Sequence, residues 1–102
     1  MTLPVEFAGA AEADLEAIAD YIGRDNPKRA AAFIRELAAR CRRIACQPRA
    51  FTLREEFGAG IRTVAHGSYL ILYAERDGKL VIERIVHGAR DLNNILDVRF
   101  SP

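Results

Sequence analysis

The sequence predicts an α+β fold in which a helical hairpin packs on a mostly antiparallel sheet, a two-layer sandwich with element order β-α-α-β-β-β. Three observations predict it. Two apolar stripes at helical spacing fill the first half, three β-branched and aromatic runs fill the second, and the hydrophobic period changes between them. With 102 residues, half of them apolar, the chain reads as one domain over residues 1–102. Its core should be real but shallow, because small domains keep proportionally more surface exposed.

The first element, "LPVEF", is a short strand with Val5 and Phe7 on one face and Glu6 on the other. "AEADLEAIADYIG" follows as a helix, since Ala11, Leu15, Ile18 and Ile22 recur on one face while Glu12, Asp14, Glu16 and Asp20 lie off it. Gly23 suits its stop. The second helix, "DNPKRAAAFIRELAARCRRIACQP", is the clearest signal in the chain. Asn26 can cap it, Pro27 fits the first helical position and Pro48 blocks its continuation. Ala30, Phe33, Ile34, Leu37, Cys41, Ile44 and Ala45 form its apolar stripe, with Arg29, Arg35, Arg40, Arg42 and Arg43 mostly off it.

"AFTLREEFGAG" reads as a loop, with room for a short extended piece around Leu53. "IRTVAH", "YLILYAER" and "KLVIERIVH" are three strands. Gly67-Ser68 can turn the first pair. Asp77-Gly78 suits a type I′ hairpin, which needs positive φ at both central positions. Strands joined by two tight turns form an antiparallel meander, and the N-terminal strand is expected to join its sheet. The tail "RDLNNILDVRF" suits either a short helix carrying Leu92, Ile95 and Leu96 or a partly ordered end. Ile18, Phe33, Leu37 and Leu72 are expected to be largely buried.

Composition narrows the function classes. The net charge is +1, but lysine occurs only at Lys28 and Lys79, so arginine dominates the cations. "RELAARCRR" could present a basic stripe to a polyanion or an acidic protein, although a solvated helix face explains any single arginine. No apolar run approaches the roughly 20 residues of a membrane span, and "MTLPVEFAGA" lacks the pattern of a secretory signal. Cys41 and Cys46 lie five residues apart in one helix, so at about 100° per residue they point to different faces and do not bridge. A reducing cytoplasm fits these features. No metal-type spacing and no cofactor motif is present: there is no Gly-rich phosphate loop, nucleophile elbow or helical His pair.

One constellation carries candidate chemistry. "RIVHGARD" places a histidine and an arginine where the last apolar run turns polar. A metal-free ribonuclease needs a base for the 2′-hydroxyl, an acid for the leaving oxygen and cations for the phosphorane, roles open to imidazole and guanidinium. In that reading Arg62, near the same region of the sheet, and Arg90 grip phosphate while His87 moves protons. In the structural reading His87 ends a strand, Gly88 permits a turn, and Arg90 pairs with Asp91 or a helix end. With no second acid/base evident, and with His66 reading as a turn residue, the structural reading is the better supported. Tyr69 and Tyr73 share a strand face and either stack on bases or pack a half-buried sheet.

Taken together, "EADLEAIADYIGRDNPKRAAAFIREL", "QP" after the second helix, "GIRTVAHGSYLILY" and "IERIVHGARDL" resemble the ParE branch of the RelE/ParE toxins of bacterial type II toxin–antitoxin systems. The resemblance runs nearly end to end and rests on the ordered combination rather than on any one motif. It implies a small toxin, plasmid-stabilising in some members, that is held in a hetero-oligomer by a cognate ParD-like antitoxin. The antitoxin segment would fill apolar grooves along the hairpin, at Leu15, Ile18, Ile22, Phe33, Ile34 and Leu37. ParE-like members are associated with inhibition of DNA gyrase, whereas RelE-like members cut messenger RNA on the ribosome. Arg62 matches the arginine of the shared G-x-R strand start, and Arg90 matches the arginine after the last strand; with Asp91 these are the expected target-binding residues. Leu96 stands where RNA-cutting relatives often carry tyrosine, and "REEFGAG" is acidic where they are typically lysine-rich. The resemblance therefore implies a gyrase-binding toxin first and an mRNA endonuclease as the alternative, with no cofactor in either.

Overall fold

A computed structural model of the chain describes residues 2–88. The elements are β1 (Val5–Phe7), α1 (Gly9–Gly23), α2 (Pro27–Cys46), β2 (Thr52–Leu53), a 3₁₀ turn (Glu55–Phe57), β3 (Arg62–His66), β4 (Tyr69–Arg76) and β5 (Lys79–His87). The five strands form one sheet in the order β1-β5-β4-β3-β2, with β1 parallel to β5 and every other pair antiparallel. This is the expected helical hairpin on a mostly antiparallel sheet. The extended piece around Leu53 becomes the edge strand β2.

Local chemistry accounts for the helix ends. Ala8 donates its N–H to the Ile82 carbonyl at 2.9 Å, and α1 begins on the next residue. Its end differs from the expected glycine stop. Gly23 is the last helical residue without a left-handed φ, and the N–H groups of Asp25 and Asn26 instead close onto the Ile22 carbonyl. The tight link then runs directly into Asn26, whose side chain accepts the Arg29 N–H at 3.0 Å, with Pro27 as the first residue of α2. α2 stops at Cys46, two residues before Pro48.

Both sheet turns follow their residue chemistry. Asp77 and Gly78 have φ of 51° and 75°, the paired left-handed conformation of a type I′ turn, and Gly67 turns the β3–β4 hairpin at φ 59°. One irregularity matters later. Leu72 pairs with Arg84 but Tyr73 pairs with Ile82, so Glu83 is the extra residue of a bulge in β5. Beyond it, Ile85 returns to the same face as Ile82.

The core lies between the hairpin and one face of the sheet. Ile18 from α1 and Phe33, Leu37, Cys41 and Ile44 from α2 meet Val64, Ile71, Tyr73, Leu80, Ile82 and Ile85. Cys41 is buried and Cys46 exposed, as their helical spacing predicts. Leu72 is buried too, but on the opposite face. There Phe57 and Ile61, from the segment before β3, pack with Leu72, Ala74 and Val86 in a second apolar cluster. That cluster follows from strands apolar on both faces, since an uncovered second face would expose Leu72 and Val86 to water.

Candidate functional site

The register of the meander builds an aromatic row. The Gly67 turn sets His66 opposite Tyr69, and the β4–β5 register sets Tyr69 opposite His87. All three side chains face the helices. Phe33 of α2 lies over the row, with ring centroids 5.6 Å from His66 and 5.4 Å from Tyr69. His87 meets Tyr69 edge-on at 5.5 Å and 81°, the arrangement that sets a positive ring edge against a negative ring face. Arg29 caps Phe33 from outside, its guanidinium 5.5 Å from the ring, while its other contact is Glu36 at 3.2 Å. His66, expected to be a turn residue, is thus the second histidine of the row. The bulge at Glu83 decides this meeting. Without it His87 would lie on the face opposite Ile82, because side chains alternate along a strand.

Beside the row, α1 and the end of β5 enclose a cleft of about 270 Å³ lined by Asp14, Ile18, Tyr21, Arg24, Tyr69 and His87. Tyr21 is 58% exposed at its rim. Asp14 lines the cleft. Its Oδ2 accepts from Arg84 Nε at 2.7 Å and from the Ile85 N–H at 2.9 Å, and its Oδ1 accepts from Arg84 Nη2 at 3.0 Å. Among the described residues strand β5 is a sheet edge past β1, and there Asp14 satisfies the Ile85 N–H. By its spacing Asp14 lies off the apolar stripe of α1; the signal for its role is that it precedes Ile18 by four residues and so borders the buried stripe.

Arg62 lies elsewhere. It pairs with Tyr73 at the opposite end of β3 from His66, four residues or about 13 Å along the strand. Its Nη1 donates to the Phe51 carbonyl at 2.8 Å, and the Tyr73 hydroxyl donates to the Pro48 carbonyl at 2.7 Å. These two bonds close the segment after α2 onto the sheet. Burial pushes the Tyr73 hydroxyl up to about 12, against the opposing effect of the nearby Arg62 charge. The expectation that Arg62 shares a region with His87 is therefore corrected: antiparallel register sends the start of β3 to the far end from the close of β5. Arg90 and Asp91 lie outside the described residues.

The hairpin residues divide. Ile18, Phe33 and Leu37 are buried against the sheet, Leu37 to 1% exposure. Leu15, Ile22 and Ile34 are half-buried at the margin of the same core and keep surface available. The physical reason is that the stripe facing the sheet is the hairpin's own core face, and only its flanks remain. Among the described residues no group of three or more His, Cys, Asp or Glu side chains is placed to hold a metal ion, and no helix is long and apolar enough to cross a membrane.

Comparison with known proteins places these features in a family context. The family described as the ParE toxin of type II toxin–antitoxin systems, parDE, matches residues 5–92. A chain of the chromosomal ParDE toxin–antitoxin system from P. aeruginosa is similar in structure at a TM-score of 0.73 and 18% identity, covering 84% of this chain and 96% of that one. A chain of the RelBE2 toxin–antitoxin complex from Mycobacterium tuberculosis is similar at a TM-score of 0.57 and 26% identity, covering 85% of this chain and 99% of that one. No curated protein matches the chain.

Proposed function

Because the chain belongs to the ParE toxin family of type II toxin–antitoxin systems, we propose that it acts in the cytoplasm by binding and inhibiting DNA gyrase until a ParD-like antitoxin neutralises it. The observation that carries the choice of a binding toxin over a nuclease is the separation of Arg62 from His87. Of the candidate cations, Arg62 stands at the opposite end of the sheet from His87 and holds the Phe51 carbonyl. The sheet's folded-in cation thus supports a structural role more than a phosphate grip. The antitoxin segment meets Leu15, Ile22 and Ile34, the half-buried flanks of the hairpin, and the complex is a hetero-oligomer. Arg90 and Asp91, outside the described residues, are the proposed target-binding residues.

The second reading, ribosome-dependent cleavage of messenger RNA without a metal, draws on two observations: the likeness to a chain of the RelBE2 complex, and the presence of His66 and His87 in one row. A supercoiling assay with purified gyrase, run beside a ribosome-dependent cleavage assay, separates the two. The proposal expects loss of supercoiling and intact message. Message cleavage that disappears in His87→Gln, with the fold unchanged, would transfer the function to the second reading.

A further inference from the structure

The outward face of the helix layer is divided by charge. Along α1, Glu12, Glu16 and Asp20 are exposed and recur every four residues, so they share one side of the helix. Along α2, Lys28, Arg35 and Arg42 are exposed and recur every seven, so they share a side as well. The helices touch where Gly23 meets Ala30. Counted from that contact, Asp20 lies three residues back and Glu12 eleven, while Arg35 lies five residues on and Arg42 twelve. The acidic row and the outer two cations therefore stand at the same level of an antiparallel pair.

Among the described residues the helices form the ion pairs Arg29–Glu36, inside α2, and Arg84–Asp14, to β5, and no pair joins the acidic row to the basic row. Some side chains neighbouring the charges are small: Ala13 and Ala17 are exposed on α1 and Ala31 on α2.

We propose that this face is a self-association surface on which a second copy of the chain docks by its own helix layer. An isologous contact requires a patch that is its own complement. This patch meets the requirement: a half-turn about an axis parallel to the helices lays the acids of α1 over the cations of α2 in the partner, and the reverse. A uniformly acidic partner would match Arg35 and Arg42 but be repelled by Glu16 and Asp20; a uniformly basic one would meet the converse conflict. The inference goes beyond the toxin reading and does not depend on which target the chain binds. Exposed ion pairs each contribute little and are screened by salt, so the dimer is weak and salt-sensitive.

Sedimentation velocity of the purified chain tests this between about 0.05 M and about 1 M NaCl, a range over which the Debye length falls from more than 10 Å to about 3 Å. The expected result is a concentration-dependent dimer at low salt and a monomer at high salt. The double variants Glu16→Lys/Asp20→Lys and Arg35→Glu/Arg42→Glu, each checked by circular dichroism, should each weaken self-association at least about tenfold. Mixed in equal amounts they should dimerise again, because each then offers the other a complementary charge. A chain that stays monomeric at low salt and high concentration overturns the proposal, as does a dimer indifferent to salt and to both reversals, or a mixture that remains monomeric. If the chain alone is monomeric while the same reversals disrupt its antitoxin complex, the face belongs to the antitoxin and the self-association proposal fails.

Discussion

Asp14 shows how much one side chain can hold at the residue scale. It joins α1 to the exposed edge of β5 by accepting three hydrogen bonds, two from Arg84 and one from the Ile85 N–H. Its side chain is 16% exposed and that of Arg84 35%, so the pair is more than a surface bridge yet less than a fully buried one. Asp14→Ala removes the acceptor for two Arg84 hydrogen bonds and for the Ile85 N–H, and should lower stability by about 2–3 kcal/mol. Asp14→Asn can still accept from Ile85 and should lose about 1 kcal/mol. Urea titrations of both variants check the order and the size. Cys41 sets a pH dependence of the opposite origin. Burial pushes its thiol from 9.0 to about 11, with the Arg42 charge opposing. The folded state thus holds this proton more tightly than the unfolded chain. The resulting stability is complete below about pH 9 and is lost as pH rises toward about 11. Tyr73, raised from 10.0 to about 12, acts in the same direction at higher pH. The denaturation midpoint should therefore fall across that window, and Cys41→Ala should flatten the first part of the fall.

At the scale of the element, α2 is the most self-sufficient part of the chain, and its start depends on one side chain. Asn26 supplies the acceptor for the Arg29 N–H, so Asn26→Ala should cost about 1 kcal/mol. The centre of the same helix carries far more. Leu37 is 1% exposed against the sheet, and Leu37→Ala should cost about 2–5 kcal/mol, depending on how far the site collapses around the cavity. Thermal melts of the two variants should differ in that order; equal shifts would mean that α2 is held by its cap rather than by its buried face. β5 is the least self-determined element. Its bulge at Glu83 lets Ile82 and Ile85 both reach the helix-side core, and so carries His87 to Tyr69.

The whole molecule is a sheet with apolar side chains on both faces and a hairpin over one of them. Its antitoxin, in the proposed function, meets the flanks Leu15, Ile22 and Ile34 rather than the enclosed centre of the hairpin. A ligand that binds only the folded state stabilises it by mass action, by about 2.7 kcal/mol when its free concentration is a hundred times its dissociation constant. Saturating antitoxin should therefore raise the unfolding midpoint of this chain. Ile34→Asp should reduce that increment more than it changes the stability of the chain alone, whereas Leu37→Ala should do the reverse. Equal effects on the chain and on the complex would place the antitoxin elsewhere.

The parts legible along the chain are those whose cause is local. Asn26 and Pro27 open α2, Asp77-Gly78 takes the paired positive φ that its turn requires, and the stripe through Phe33 and Leu37 turns inward. Each follows from a side chain acting on its own backbone or from the helical period. The resemblance to the ParE toxins was legible for the same reason, since it rests on the order of these elements along the chain. The remaining features depend on register between distant segments. "LVIERIV" is apolar on both sides of the strand, so its pattern could not say which residue is the bulge or which face His87 takes. Nor could spacing along the chain place Arg62 and His87 at opposite ends of the sheet, or bring Asp14 to Ile85 across 71 positions. A one-residue shift in pairing exchanges the two faces of a strand, and only the packed neighbours, here Tyr69, Phe33 and the helix α1, select one outcome.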